Sequence, residues 1–253
     1  MNGDLTISVI TATWNSESTL ADCLTSVSRQ NYANIEHVVV DGASTDGTVE
    51  LINRFINQIA TFRSECDNGI YEALNKGLRL STGDVVGFLH ADDFYATNEV
   101  LSNVAKAFED PSVCAVYGDL EYVRQNDITK VVRRWKSRPF RRADLRWGWM
   151  PAHPTFYVRR EWYLNIGGFD MSYQISADYF SVLKLFIQPK FKAVYLPEVL
   201  VIMRLGGASN KSLKAIIRKT REDWQALRDC NFSVIATIFA ILGKNLSKLK
   251  QFI

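Results

Sequence analysis

Three short segments constrain this chain more than anything else in it: LTISVITAT (5–13) is a β-branched run with apolar residues on both faces, and IEHVVVD (35–41) and DVVGFLH (84–90) are apolar at consecutive rather than alternate positions. Such a strand hides both faces, which the parallel sheets of α/β proteins achieve by laying helices on each side. The intervening segments have the matching period. Leu20, Leu24 and Val27 recur at helical spacing after the first strand. After the second, the turn GASTDGT offers Asp46 or Thr48 as a helix cap ahead of VELINRFI. The turn Asp67-Asn68-Gly69 then leads into a helix over 71–80. This alternation predicts an α/β domain through about residue 110, with its βα loops gathered along one edge.

Beyond Pro111 the pattern loosens into VCAVYGDLEYV, a basic stretch to Arg146 that reads as a loop, and WGWMPAHPTFYVRREWY. A turn at IGGFD, a helix in ISADYFSVLKLFI and a last strand in FKAVYLPEVLVIMRL follow, and two helices are expected from Leu213. With 253 residues, 47% of them hydrophobic, the chain can bury a sizeable core, which excludes a disordered tail, a collagen or a disulfide scaffold. The expected organisation is one domain over 1–210 with a helical tail over 211–253.

The formal charge of +3 announces no nucleic-acid binder, but it is unevenly spread. Residues 124–146 carry nine Lys and Arg against two acids, and residues 204–250 carry ten against three. Cys23, Cys66, Cys114 and Cys230 form no CxxC pair, and three histidines give no zinc spacing, so reduced thiols in a cytoplasmic protein are expected. The opening MNGDLTISVI shows no secretory leader, and no apolar run reaches the ~18 residues of a membrane span.

The chemistry gathers at strand ends. In a doubly wound sheet ligands bind beyond the carboxyl ends of the strands, where Asp41 and the pair Asp92 and Asp93 fall. Two adjacent acids after a fully apolar strand are costly to desolvate unless a positive group pairs with them, and a divalent cation on a diphosphate is such a group. The plain alternative is that either acid caps the following turn.

Five motifs in order, TATWN (11–15), VVVDGASTDGT, DNGIYEALNKG, GDVVGFLHADD, and GGFD followed by SADY, make the chain resemble the family 2 glycosyltransferases over residues 5–207. The resemblance implies an inverting enzyme of α/β class with the GT-A fold: a Rossmann-like, doubly wound, mostly parallel sheet flanked by helices, followed by the C-terminal helical tail. It implies a nucleotide-sugar-binding part over about 1–110 and an acceptor-binding part over about 111–210. Thr11, Thr13 and Trp14 would line the nucleotide base and Asp41 would accept a hydrogen bond from it, with Asp67 in a turn that approaches the nucleotide. Asp92 would face the ribose or the metal, and Asp93 would ligate Mn²⁺ or Mg²⁺ on the donor diphosphate. Asp178 matches the catalytic base. Ala177 stands before it where many members have Glu, so a paired-acid base is not available.

Other signals have two readings. The basic stretch with Trp135, Phe140, Trp147 and Trp149 suits a solvated loop, a single-strand nucleic-acid groove, or a surface for a phosphate-bearing acceptor or anionic lipid. His153 between two prolines is structural or, by the resemblance, near metal and acceptor. Arg204 with Gly206-Gly207 is a turn or a cation near the diphosphate. The tail from Asn231, with Lys244, Lys248 and Lys250, is a packed surface helix or a monotopic membrane helix. The expected partners are a nucleotide-diphosphate sugar, UDP-linked, and a glycan acceptor on a lipid carrier, with peripheral contact to the inner face of the plasma membrane and no nucleic acid. The competing functions are a sugar nucleotidyltransferase, which would carry a Gly-rich basic loop where TATWNSES stands, and a non-enzymatic basic module.

Overall fold

The computed structural model describes residues 5–206 and 213–249. The first half forms as the periodicity requires, with one added strand, β3: β1 (Ile7–Thr13), α1 (Leu20–Ser28), β2 (Ile35–Asp41), α2 (Thr48–Arg54), β3 (Thr61–Ser64), α3 (Ile70–Leu80) and β4 (Val85–Phe88). β1 is buried at all seven positions, and it pairs in parallel with β2 on one side and β4 on the other. β3 adds in parallel to the outer edge of β2. The strand order therefore reverses at β1, and the carboxyl ends of β1 and β4 open a crevice between loops that diverge to opposite faces.

The second half extends the same sheet. It comprises β5 (Phe94–Tyr95), α4 (Val100–Ala107), β6 (Ala115–Arg124), β7 (Asp127–Trp135), β8 (Tyr157–Arg159), α5 (Arg160–Asn165), α6 (Ala177–Phe186), β9 (Ala193–Arg204), α7 (Leu213–Asp229) and α8 (Val234–Leu249). The sheet order is β3-β2-β1-β4-β8-β6-β9-β5, with β7 paired to β6. The short strand β8 runs antiparallel to both β4 and β6, and so joins the parallel first half to a mixed second half. One apolar layer packs α1, α2 and α4 on the sheet; the opposite layer packs α3 and α6, with residues of α7 and α8 behind them.

Five strands escape the sequence reading, β3, β5, β6, β7 and β8, and two of them show why. β3 has four residues and no alternation. The basic stretch, expected to be a loop, supplies β7, an antiparallel arm against the far end of β6. Ile128, Val131, Val132 and Trp135 favour extended backbone, and the arginines and lysine between them keep the strand charged and half-exposed, as a protected outer strand requires.

The two C-terminal helices form where expected. α7 packs on α6, and α8 packs on α7 and on the 3-10 segment Arg142–Trp147. That last contact is backbone against backbone: a Cβ on Gly148 would stand 2.1 Å from the Ala240 carbonyl oxygen, and one on Gly243 would stand 2.4 Å from that of Trp147. Cys23, Cys114 and Cys230 are buried, Cys66 is exposed, and all four are free.

Candidate active site

The loops after β1 and β2 form one wall of the crevice. Gly42 N–H donates to the Thr13 carbonyl at 2.9 Å, Asn15 N–H to Ser44 Oγ at 2.8 Å, and Ser16 N–H to Thr48 Oγ1 at 2.8 Å. Gly42 is needed there, since a Cβ would lie 2.9 Å from Asp67 Oδ2 and 3.4 Å from Trp14 Cδ1. Trp14, Gly42 and Asp67 are thus brought together at the crevice, with the Trp14 indole 66% exposed. Asp67 Oδ1 accepts the Gly69 N–H at 2.9 Å, which fixes the turn into α3.

Asp41 is fully buried at the end of β2 and is satisfied within the chain. It accepts from the Ser44 backbone N–H at 3.0 Å, from the Ser44 hydroxyl, and from the Ser64 hydroxyl at 2.7 Å. Thr13 is buried with its hydroxyl unpartnered. Thr11 points elsewhere: its hydroxyl lies 3.1 Å from His37 Nε2 and 3.8 Å from Cys23 Sγ, inside the sheet.

The end of β4 differs. Asp93 is fully buried and neither carboxylate oxygen has a hydrogen-bond partner among the described residues. Burial, reinforced by the neighbouring Asp92 charge, pushes its pKa well above the carboxylate range, with Arg204 pulling the other way. Arg204, the last residue of β9, is itself buried; it is ion-paired with Asp22 and donates to the Asp92 carbonyl at 2.8 Å. It therefore braces the Asp92–Asp93 turn from beneath.

Asp178 opens the first turn of α6, where the helix dipole favours an anion. It is partly exposed, and the Tyr71 hydroxyl of α3 lies 3.2 Å from its Oδ1 while also meeting the Ile175 carbonyl at 2.5 Å. Between the two acidic sites lies His90. Burial depresses its pKa, while the charges of Asp92 and Asp178 both oppose that depression, so the imidazole is within electrostatic reach of the two. His153 follows at 6.1 Å between ring centroids, stacked on Phe88, with both ring nitrogens unpartnered and its pKa lowered to about 4 by burial. Trp149 stands farther out, half-buried against Tyr117, Phe140 and Phe186.

Sequence reasoning missed what holds Asp178. Glu222 of α7 accepts backbone N–H groups from Gln174 at 3.2 Å, Ile175 at 2.8 Å and Ser176 at 2.9 Å. Its neighbour Asp223 takes the Ser176 hydroxyl at 2.8 Å, and is paired with Lys219 at 3.0 Å and Lys244 at 2.9 Å. Lys244 is buried, its Nζ is 3.3 Å from the Tyr179 ring centroid, and burial lowers its pKa to about 7 against the opposing pull of Asp223. No local signal marks these residues, which lie some forty positions beyond Asp178. His90 and Tyr71, by contrast, sit inside motifs already singled out.

The donor set at β4 suits a divalent cation that takes its remaining ligands from elsewhere. Asp93 presents two buried, unpartnered oxygens and Asp92 stands beside it. No three His, Cys, Asp or Glu side chains among the described residues gather into a full cage, so phosphate oxygens and water would complete the shell, as is usual for Mg²⁺ at a diphosphate.

The comparisons agree with this geometry. A chain from Mycobacterium bovis described as a PGL/p-HBAD biosynthesis glycosyltransferase is 31% identical over 209 residues, covering 80% of this chain and 78% of that one. Among solved structures, S. aureus TarS in complex with UDP-GlcNAc superposes with a TM-score of 0.70 at 17% identity, covering 89% of this chain and 65% of its own. The mannosyltransferase PcManGT from Pyrobaculum calidifontis, in complex with GDP-Man and Mn²⁺, superposes at 0.66 with 22% identity, covering 97% and 70%. At that identity they establish the fold, which is GT-A. The Glycosyl transferase family 2 model matches residues 8–173, so that strand ends, crevice and sequence agree on one conclusion: the chain belongs to glycosyltransferase family 2.

Proposed function

We propose that this glycosyltransferase moves one sugar from a nucleotide-diphosphate donor, UDP-linked, to a hydroxyl of a lipid-linked glycan acceptor, by metal-assisted single displacement with inversion. The observation that carries the reading is Asp93: a buried carboxylate with no hydrogen-bond partner among the described residues, at the end of the sheet where His90 feels the charges of both Asp92 and the base candidate Asp178. Asp92 and Asp93 would hold Mn²⁺ or Mg²⁺; when bound, such a cation offsets the charge that develops on the departing diphosphate. Trp14, Thr13, Asp41 and Asp67 would surround the nucleotide, with the exposed indole offering a stacking face. Thr11 would support that wall through β1 rather than touch the base. Asp178 would take the acceptor proton as the hydroxyl attacks. One base and no carboxylate nucleophile imply a single displacement. Trp149, His153 and Arg204 line or brace the acceptor and diphosphate side. An enzyme with a lipid-linked acceptor would work at the cytoplasmic face of a membrane. The GDP-Man and UDP-GlcNAc complexes of the structural neighbours support a nucleotide-sugar donor, and family membership favours transfer over a nucleotidyltransferase or a non-enzymatic module.

Two measurements test this. Uridine diphosphate with Mn²⁺ should raise the melting temperature more than either alone, because a ligand selective for the folded state stabilises it. If no nucleoside diphosphate changes the melt with or without Mn²⁺, the donor reading fails. Asp178→Asn should keep that donor-induced shift while kcat falls about 10²- to 10⁴-fold; near-normal turnover would remove Asp178 from the role of base.

A further inference from the structure

Helix α8 turns its large apolar side chains away from the protein. Thr237, Ala240 and Lys244 are buried against the body of the protein, whereas Val234, Ile235, Ile238, Phe239, Leu242 and Leu246 are each at least 44% exposed. At about 100° per residue these six fall within an arc of about 140° opposite the buried face. A surface helix ordinarily turns its apolar stripe to the core, whereas the stripe of this one faces outward. Trp147, 59% exposed, extends the patch, its ring 5.8 Å from that of Phe239.

Cations border it. A cleft of about 430 Å³ opens between β7, the Arg142–Trp147 segment and α8, sharing Trp147 and Leu246 with the patch. Its lining includes Arg134, Lys136, Arg138 and Lys244; Glu121, Asp144 and Asp223 pair with the first, third and fourth from outside the lining. Arg141, Arg142 and Arg146 are exposed beside it, and residues 234–249 contain no acid.

We propose that this face, the exposed stripe of α8 with Trp147 and the cationic border, docks the enzyme on a bilayer containing anionic lipid. The inference rests on the peripheral-membrane part of the proposed function and supplies its surface. Charge selects the occupant. Two copies of the chain meeting through this face would set cations against cations, whereas anionic headgroups complement the rim as acyl chains take the apolar stripe. The adjoining cleft then opens at headgroup level, where a phosphate-bearing acceptor would be presented.

The test is flotation of the full chain with vesicles of phosphatidylcholine, alone or with phosphatidylglycerol added. The wild type should float with the anionic vesicles and weaken as salt rises. Ile235→Glu combined with Leu242→Glu should lower partitioning about a hundredfold or more, since each side chain loses its transfer energy. Both positions are exposed, so the melt should not change. Arg146→Gln, which alters no apolar packing, should weaken anionic partitioning about fivefold. Failure of the wild type to float, equal flotation on phosphatidylcholine alone, or undiminished flotation of the double variant would overturn the proposal, as would a wild-type dimer in sedimentation that the double variant dissolves. The uridine diphosphate melt is read on the same proteins. A donor shift without flotation removes only the docking face, and flotation without a donor shift removes only the donor reading.

Discussion

The ends of β2 and β4 carry the same residue at the same depth and use it in opposite ways. Asp41 and Asp93 are both fully buried aspartates beyond parallel strands. Asp41 accepts from two groups of Ser44 and from Ser64, so the chain itself has absorbed its charge. Neither Asp93 oxygen has a hydrogen-bond partner of good geometry among the described residues, and burial with the Asp92 charge raises its pKa against the pull of Arg204. A buried carboxylate that is satisfied locally holds a wall in place; one that is left over costs stability and is kept for a ligand. Under the proposed function, the contrast makes Asp41 a residue that shapes the nucleotide wall and Asp93 the one left to hold a cation.

The sharpest way to break it is Asp93→Asn. If Asp93 is held for a cation, the variant should lose about 10³-fold or more in Mn²⁺-dependent turnover, as expected when a group stabilising transition-state charge is removed. At pH 7.5 it should nevertheless melt no lower than the wild type, because a buried carboxyl whose raised pKa costs the folded state stability above the ordinary carboxylate range has gone. A lower melting temperature with activity retained would place Asp93 with Asp41 instead.

Asp41→Asn asks the converse question. It replaces an acceptor by an amide facing the Ser44 N–H and the serine hydroxyls, and should cost about 1–3 kcal/mol in denaturant unfolding. Loss of activity without loss of stability would show that Asp41 acts on the donor directly.

Glu222→Gln extends the comparison to the start of α6. Weakening a carboxylate that receives three backbone N–H groups should lower kcat about tenfold through a displaced Asp178, with the donor KM little changed. A shifted pH–rate profile would show that the loop it grips carries the base; an unchanged profile and kcat would make the contact merely structural.

The smallest effect is titration. His37 is buried within β2 and burial lowers its pKa to about 4, so the unfolded chain binds its proton first as the pH falls. The native state gains nothing above pH 6.5 from this group and loses stability as the pH drops from about 6.5 to about 4, by up to about 1.4 kcal/mol per pH unit. His37→Gln should flatten that part of the stability curve, which urea midpoints at successive pH values would record.

Much of this was written locally. Consecutive apolar strands with helical periods between them require a buried parallel sheet, and such a sheet puts the residues after its strands on one edge; Trp14, Asp41, Asp92 and Asp93 were legible for that reason. β7 was not, because a charged strand on the outside of a sheet carries the composition of a loop, and only pairing with β6 distinguishes them. Nor did the residue types separate Asp41 from Asp93, since the partners that decide between them are Ser44 and Ser64 in one case and, among the described residues, none in the other. The grip of Glu222 and Asp223 on the turn before Asp178 joins segments more than forty residues apart, and the apolar stripe of α8 becomes an outer surface only once Ala240 and Gly243 have packed on the Arg142–Trp147 segment. Periodicity is a property of neighbours in the chain and is therefore fixed by sequence; satisfaction of a buried charge and exposure of a helix face are properties of neighbours in space, and tertiary packing alone decided them.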